Sequence, residues 1–588
     1  MLENGSLPLP RAQAIRRLRL ALLSALLLGS LASCYSAEYS EPVALEITFD
    51  APPGETFESD LLGGTDKTLY ERLEQLREVA DSDHYRGLLV RVSSFGGGFA
   101  RSRELARALT RIRQAGKPVH CYFEQTDNAG YALLSGGCER ISMPPPGLLN
   151  LVGVRAQAYY ARDFLDRVGV KAEMMHVGRF KGAADTLTRN SMPEHTRLTL
   201  THLGEHLQSG VATMIESGRK LSAKAVEAAI HEGPLTAAAA RRHRLVDDIG
   251  YQDEAREHLR RAAKVDRVEI DQAPGETVDF SAILDELTEA PSMSAGRHLV
   301  LVPLVGTIGV GSSLNSGVDS ASFVQQMRRL RDDPDVAAVV IRVDSPGGSA
   351  LASDVMWHAV TELAKQKPVI ASVGDMAASG GYYIACAAQK IYAEPTSVIG
   401  SIGVVGGKIQ FSELVKRLGI NVETLRAAPN AGWSSPTSPF SDSERTAVRN
   451  MLESTYNLFL KRVSAGRDIP VTDLAALAEG RVMHAQSAID SHLVDELGGL
   501  LDALDAARRT ADLPRDAKVL VWPERHSALS ALLGLSHAAT QYSGANAKIA
   551  NLKSLPSLLL QQTDVPLLQV LAAEQNIAAT LPFGLQIR

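Results

Sequence analysis

Leu88-Leu89-Val90-Arg91-Val92, followed by Gly96-Gly97-Gly98, returns 251 residues later as Val339-Val340-Ile341-Arg342-Val343, followed by Gly347-Gly348. Each run is short, rich in β-branched residues and closed by glycines, the pattern of a buried strand ending in a tight turn. The correspondence continues outward. Lys117-Pro118-Val119 matches Lys367-Pro368-Val369, Arg167 matches Arg417, Val168-Gly169-Val170 matches Leu418-Gly419-Ile420, and Glu173 matches Glu423, all at an offset of 250. One indel accounts for the shift, and the chain is a tandem duplication.

Within the second copy, His298 to Val305 has strand character and Ala321 to Arg331 helical spacing. Val336 to Val343 is again a strand, Ala352 to Lys365 a helix, and Pro368 to Val373 another strand. Consecutive β-turn-α steps imply parallel strands joined by right-handed crossovers, so the fold class is α/β with a parallel β-sheet core in each copy. The expected limits are 43–265 for the first copy, 266–297 for a linker with Pro274, Gly275, Pro291 and Ser292, and 298–512 for the second copy. Residues 513–588, with apolar segments at Leu529 to Leu535 and Leu558 to Leu560, have no expected counterpart in the first copy.

A length of 588 residues suits two large domains plus extensions. With 45% hydrophobic and 22% charged residues the composition is ordinary and globular, and a net charge of −6 gives no reason to expect nucleic acid as a partner. Cys34, Cys121, Cys138 and Cys386 are too few for a disulfide framework and lack zinc-ligand spacing, so no metal and no cofactor is expected. A Cys121–Cys138 bridge stays open, with free thiols the main expectation. At the N-terminus, Arg16, Arg17 and Arg19 precede an uncharged apolar run from Leu20 to Ala32, which marks residues 1–34 as a secretion signal. The run is short of the roughly 20 residues a spanning helix needs. It ends in Leu31-Ala32-Ser33-Cys34, which looks like a bacterial lipobox with Cys34 as the lipidation site; a plain cleaved signal or a short uncleaved anchor is the alternative. Each version places the body of the chain in the bacterial cell envelope, facing the periplasm.

The duplication also divides the reactive side chains. Asn128-Ala129-Gly130-Tyr131 falls on Ala378-Ser379-Gly380-Gly381, so Ser379 stands opposite an alanine, and Lys181 stands opposite Ala431. Neither copy alone holds a hydroxyl and an amine; the two together do. In Val373-Gly374-Asp375-Met376-Ala377-Ala378-Ser379-Gly380-Gly381-Tyr382, a strand ends near Val373 and a helix begins near Gly381, which sets Ser379 at the C-terminal edge of the sheet. The amide of Gly380 and the helix dipole are there to stabilise an oxyanion, and Asp344-Ser345-Pro346-Gly347-Gly348-Ser349 offers a second donor from another loop. An isolated Ser-Gly-Gly is more often a helix cap. The lysine alters that weighting, because a buried amine loses protons well below its ordinary 10.4 and can serve as a base. His176 and His358 are expected to be structural or surface residues.

These residues resemble the long, duplicated form of the bacterial signal peptide peptidase A family, serine proteases of ClpP/crotonase-like fold. The resemblance covers roughly residues 43–510 and rests on Asp344-Ser-Pro-Gly-Gly-Ser349, Met376-Ala-Ala-Ser-Gly-Gly-Tyr382, Gly400-Ser-Ile-Gly403 and Gly178-Arg-Phe-Lys181. It implies Ser379 as nucleophile, Lys181 as general base, Ser401 as the residue that orients the lysine, and the amides of Gly348 and Gly380 as the oxyanion hole. It further implies a membrane-tethered endopeptidase of remnant signal peptides, assembled as a homotetramer in which one protomer's lysine meets its neighbour's serine. The family often has serine after the lysine, where this chain has Gly182, and lacks a lipobox. Rival readings are a broader envelope quality-control protease, an inactive scaffold of the same fold, and a crotonase-type acyl-CoA enzyme. The last lacks paired carboxylates here, and a secreted chain has no coenzyme A to use.

Overall fold

A strand such as Val336-Ala337-Ala338-Val339-Val340-Ile341-Arg342-Val343 is apolar on both faces, so it needs strand neighbours on each side and a covering layer above and below. The computed structural model describes residues 41–56, 67–93, 95–96, 98–271, 296–310, 317–522, 577–580 and 586–587. Cys34 and the whole predicted signal segment lie outside these residues.

The first copy runs β1 (Val43–Phe49), α1 (Leu69–Asp81), β2 (Tyr85–Val92), α2 (Phe99–Gln114), β3 (Val119–Phe123), α3 (Asn128–Gly137), β4 (Arg140–Met143), β5 (Ala156–Gln157), α4 (Arg162–Val168) and β6 (Lys171–Val177), with β7 (Val268–Ile270) closing it. Its main sheet is parallel throughout, in the order β4-β3-β2-β1-β7 with a short strand at Asp248–Ile249 beyond β4. The second copy repeats the plan with β8 (His298–Val305), α5 (Ser320–Asp332), β9 (Val336–Ser345), β10 (Gly347–Ser349), α6 (Ala350–Ala364), β11 (Val369–Ala378), α7 (Gly380–Ala385), β12 (Val398–Gly400), β13 (Val404–Gln410), α8 (Leu500–Thr510) and β14 (Val519–Val521). Here β12-β11-β9-β8-β14 are parallel neighbours. Both closing strands, β7 and β14, lie past the limits of 265 and 512 expected from sequence, yet each pairs with the first strand of its own copy.

One difference from the sequence reading shapes the site. β11 does not stop near Val373 but continues to Ala378. Its register with β9 slips on the way, from Val343 opposite Val373 to Ser345 opposite Ala377, so β11 carries two extra residues there. Such a bulge bends and twists the strand, and it re-aims the residues that follow.

The two copies are interlocked. β6 of the first copy pairs antiparallel with β13 of the second, from Val177 opposite Val404 to Lys171 opposite Gln410, so one sheet contains strands from both. Beneath it, Arg342 in β9 is fully buried and bonds Glu55 (2.8 Å) and Glu104 (2.6 Å) of the first copy, as well as Ser372 Oγ (2.9 Å). The other carboxylate oxygen of Glu104 accepts the amide of Leu500 (2.7 Å) at the start of α8, where a helix favours an anion. Arg101 pairs with Asp375 (2.8 Å), and Arg107 with Glu394, across the same boundary.

Cys121 in β3 and Cys138 at the end of α3 are joined as a disulfide, against the free thiols expected from composition. Two cysteines 17 residues apart carry no pairing signal by spacing; the crossover that lays the end of α3 against β3 brings them together. Cys386 is a buried free thiol.

A candidate active site shared by the two copies

The pairing of β6 with β13 decides where Lys181 goes. Because the strands are antiparallel, the end of β6 at Val177 lies beside the start of β13 at Val404. Lys181 follows the first by four residues and Ser401 precedes the second by three, so both flank the same end of the ladder. The lysine loop is then clamped from below. Phe180 N–H donates to Glu479 O (2.7 Å), and Gly480 packs so closely that a Cβ there would stand 2.5 Å from Lys181 N.

Ser379 arrives from the other direction. Its amide donates to Gly400 O (2.7 Å), and its carbonyl accepts the first helical bond of α7 from Tyr383 N–H (2.8 Å). The residue adopts φ 54° and ψ −113°, a conformation that costs of order 1–3 kcal/mol in a non-glycine residue and gathers at functional sites. Its hydroxyl makes no cap hydrogen bond to α7, which removes the plain capping explanation for a serine at this position.

Lys181 Nζ lies 2.7 Å from Ser379 Oγ, 2.9 Å from Ser401 Oγ and 2.9 Å from Ser401 O, and all three residues are fully buried. Burial alone drives the lysine pKa well below its ordinary value, with no charged neighbour contributing. A neutral amine has two N–H donors and one lone pair. Ser401 supplies two acceptors, its carbonyl and its hydroxyl, so a neutral Nζ is left with its lone pair facing the Ser379 hydroxyl. Three oxygens around one nitrogen thus fix the orientation of the amine towards the serine.

Two glycines pack against each other at the start of α7. A Cβ on Gly380 would stand 3.1 Å from Gly348 N and 2.5 Å from Ser353 Oγ, and one on Gly348 would stand 2.0 Å from Ile308 O. Only glycine backbones approach this closely, and the approach brings the amide of Gly348 beside the first amide of α7. His176 and His358 are exposed and take no part.

The equivalent place in the first copy is occupied by the protein itself. Asp127 stands where the second copy has Ala377, and its carboxylate accepts from Gly130 N–H (2.9 Å) and Gly96 N–H (2.8 Å), the counterparts of Gly380 and Gly347. A resident carboxylate thus holds the amide equivalent to that of Gly380. The sequence reading missed this residue, although the same 250-residue offset that exposed Ser379 and Lys181 would have shown it.

One expectation is corrected. The family resemblance implied a lysine and a serine brought together from neighbouring protomers; here both belong to one chain. The antiparallel β6–β13 ladder, a contact between distant segments, closes the site within the protomer.

A buried amine bonded to a strained serine at the edge of a duplicated parallel-sheet fold marks a serine-type peptidase of ClpP/crotonase-like architecture. The chain belongs to peptidase family S49, whose sequence model matches residues 111–266 and 361–514, one stretch in each copy. It is 28% identical over 452 residues to the chloroplastic serine protease SPPA of Arabidopsis thaliana, covering 76% of this chain and 66% of that one. Protease 4 of Haemophilus influenzae is 29% identical over 470 residues, and Protease 4 of Salmonella typhi 28% over 459, each covering 76% of this chain and 73% of the relative.

The site makes a prediction for Ser401→Ala. Loss of that hydroxyl removes one acceptor from Nζ and costs the cationic lysine more than the neutral one, since bonds to charged groups are the stronger. We expect kcat/KM to fall about 10- to 100-fold, as for loss of one buried hydrogen bond of about 1–3 kcal/mol. We also expect its alkaline-rising limb to move to lower pH. The wild-type limb rises with pH because only the deprotonated amine accepts a proton. A pH–rate profile in which the plateau falls but the limb stays in place would assign Ser401 a structural role only.

Proposed function

We propose that this chain is an endopeptidase in which Ser379 attacks the scissile carbonyl and Lys181 takes its proton, later returning it to the leaving amine. Ser401 orients the lysine, and the amides of Gly348 and Gly380 hold the oxyanion; a water then attacks the acyl-serine with Lys181 again as base. The observation that carries the reading is the 2.7 Å approach of a fully buried amine to a fully buried serine hydroxyl. The buried Ala377 and Ala378 beside the serine favour small or aliphatic side chains, as found in the remnants of cleaved signal peptides, which are the proposed substrates.

The proposed location is the bacterial cell envelope, on the periplasmic face, with attachment through the N-terminal segment and Cys34. The Cys121–Cys138 disulfide supports an oxidising compartment. A homo-oligomer, a tetramer by the family resemblance, is supported by exposed apolar side chains on α4 and just after Arg417: Phe164, Val168, Leu418, Ile420, Val422 and the wholly exposed Leu425.

A fluorophosphonate probe tests the chemistry. It is expected to label Ser379 in the wild type and to leave Ser379→Ala unmodified, while an apolar signal-peptide substrate is cut by the first and not by the second. Absence of labelling in a folded wild type would end the proposal. Equal cutting of an unfolded envelope protein and of signal peptides would place the chain among general quality-control proteases instead.

A further inference from the structure

Among the described residues, two short strands follow β14: β15 (Ile577–Thr580) and β16 (Gln586–Ile587). β15 does not sit at a sheet edge. It is inserted between β10 and β13 and is antiparallel to both: Gly347 lies opposite Thr580, Gly348 opposite Ala579 and Ser349 opposite Ala578 on one side, with Val405 opposite Ala578 and Gly406 opposite Ile577 on the other. Gly348 is the residue whose amide stands beside that of Gly380. A peptide presenting its carbonyl to those amides must run through this same slot.

The last strand repeats the arrangement in the first copy. β16 pairs antiparallel with β5, Ala156 opposite Ile587 and Gln157 opposite Gln586. Position 156 is the counterpart of position 406 under the 250-residue offset, so equivalent edges in the two copies each meet an isoleucine of the C-terminal segment, ten residues apart. One groove retains the reactive serine, and in the other the amide of Gly130, the counterpart of Gly380, is already taken by Asp127.

We propose that the C-terminal segment is a tethered peptide ligand of these two equivalent grooves, and that Ile577–Thr580 competes with peptide substrate for the catalytic one. The proposal rests on reading that groove as the substrate site. Strand addition draws its affinity from main-chain hydrogen bonds and tolerates many sequences, and Ile577-Ala578-Ala579-Thr580 is a sequence of the small and aliphatic kind proposed for substrates. Four residues bind weakly alone. Attachment to the same chain makes their binding intramolecular, which favours occupancy of the groove until a better-fitting peptide displaces them.

The test compares the full wild-type chain with the double variant Ala578→Pro/Ala579→Pro, whose prolines remove two main-chain donors from β15. Amide hydrogen exchange at Gly347–Ser349 and Val404–Gly406 is expected to be slow in the wild type and faster in the variant. For a short apolar peptide, KM is expected to fall by roughly an order of magnitude with kcat unchanged, as removal of a tethered competitor requires. A synthetic peptide of residues 575–582 is expected to inhibit the variant competitively. Unchanged exchange at Gly347–Ser349 would overturn the docking, and faster exchange with an unchanged KM would overturn the competition. If exchange quickens but neither protein reacts with fluorophosphonate or cuts peptide, the docking stands and the peptidase reading fails.

Discussion

Lys181→Met abolishes peptidase activity, lowering kcat/KM by about 10³-fold or more, as loss of a positioned general base does, yet leaves the protein folded. The side chain sits where no solvent reaches it, and burial drives its pKa well below the ordinary lysine value. Methionine fills similar volume without an amine to desolvate. Between its depressed folded pKa and the ordinary value of about 10.4 the unfolded lysine binds a proton that the folded one has released, so wild-type stability rises with pH across that window. The methionine variant lacks this slope. Chemical denaturation at two pH values, beside the peptide assay, reads both effects. Because serine and lysine belong to one chain, mixing Lys181→Ala with Ser379→Ala restores nothing; recovered activity would mean that the pair forms between protomers after all.

How much of this was visible in the sequence depends on the range of the interaction. The duplication, the strands at His298–Val305 and Val336–Ser345, and the complementary loss of serine and lysine all follow from local periodicity or from comparing one half with the other. Of the residues that converge at the site, Ser379, Lys181, Gly348 and Gly380 were legible as loops with unusual composition, and Ser401 only through the family resemblance. Their meeting within one protomer was not, because it depends on β6 pairing with β13, and β6 is half-buried along most of its length with no alternation to name a partner. The strand identity of Ile577–Thr580 was hidden for the same reason: four residues define no period, and the slot they fill is built from segments more than 150 positions away. The bulge that carries β11 on to Ala378 is likewise a property of two strands in register, not of either alone.

Arg342 was read as part of a buried strand, and its sequence gave no hint of what a guanidinium does there. With Glu55 and Glu104 it forms a cluster of two carboxylates and one cation, all nearly free of solvent, drawn from both copies. Its counterpart in the first copy, Arg91, is partly exposed and only 3.9 Å from Glu124. Arg342→Met leaves two buried carboxylates facing each other, and we expect a loss of about 3–5 kcal/mol, the usual cost of breaking a buried pair on one side. The triple variant Arg342→Met/Glu55→Gln/Glu104→Gln removes the stranded charges and should recover part of that loss. Arg101→Ala, at the more exposed pair with Asp375, should cost markedly less. Since the lysine rides on one copy and the serine on the other, loosening this contact separates them before either copy unfolds. Activity in Arg342→Met is therefore expected to vanish at a lower urea concentration than helical circular dichroism does, whereas the wild type loses both together. Coincident loss in both proteins would mean that the two copies unfold as one unit, held by the shared β6–β13 ladder rather than by the charge cluster.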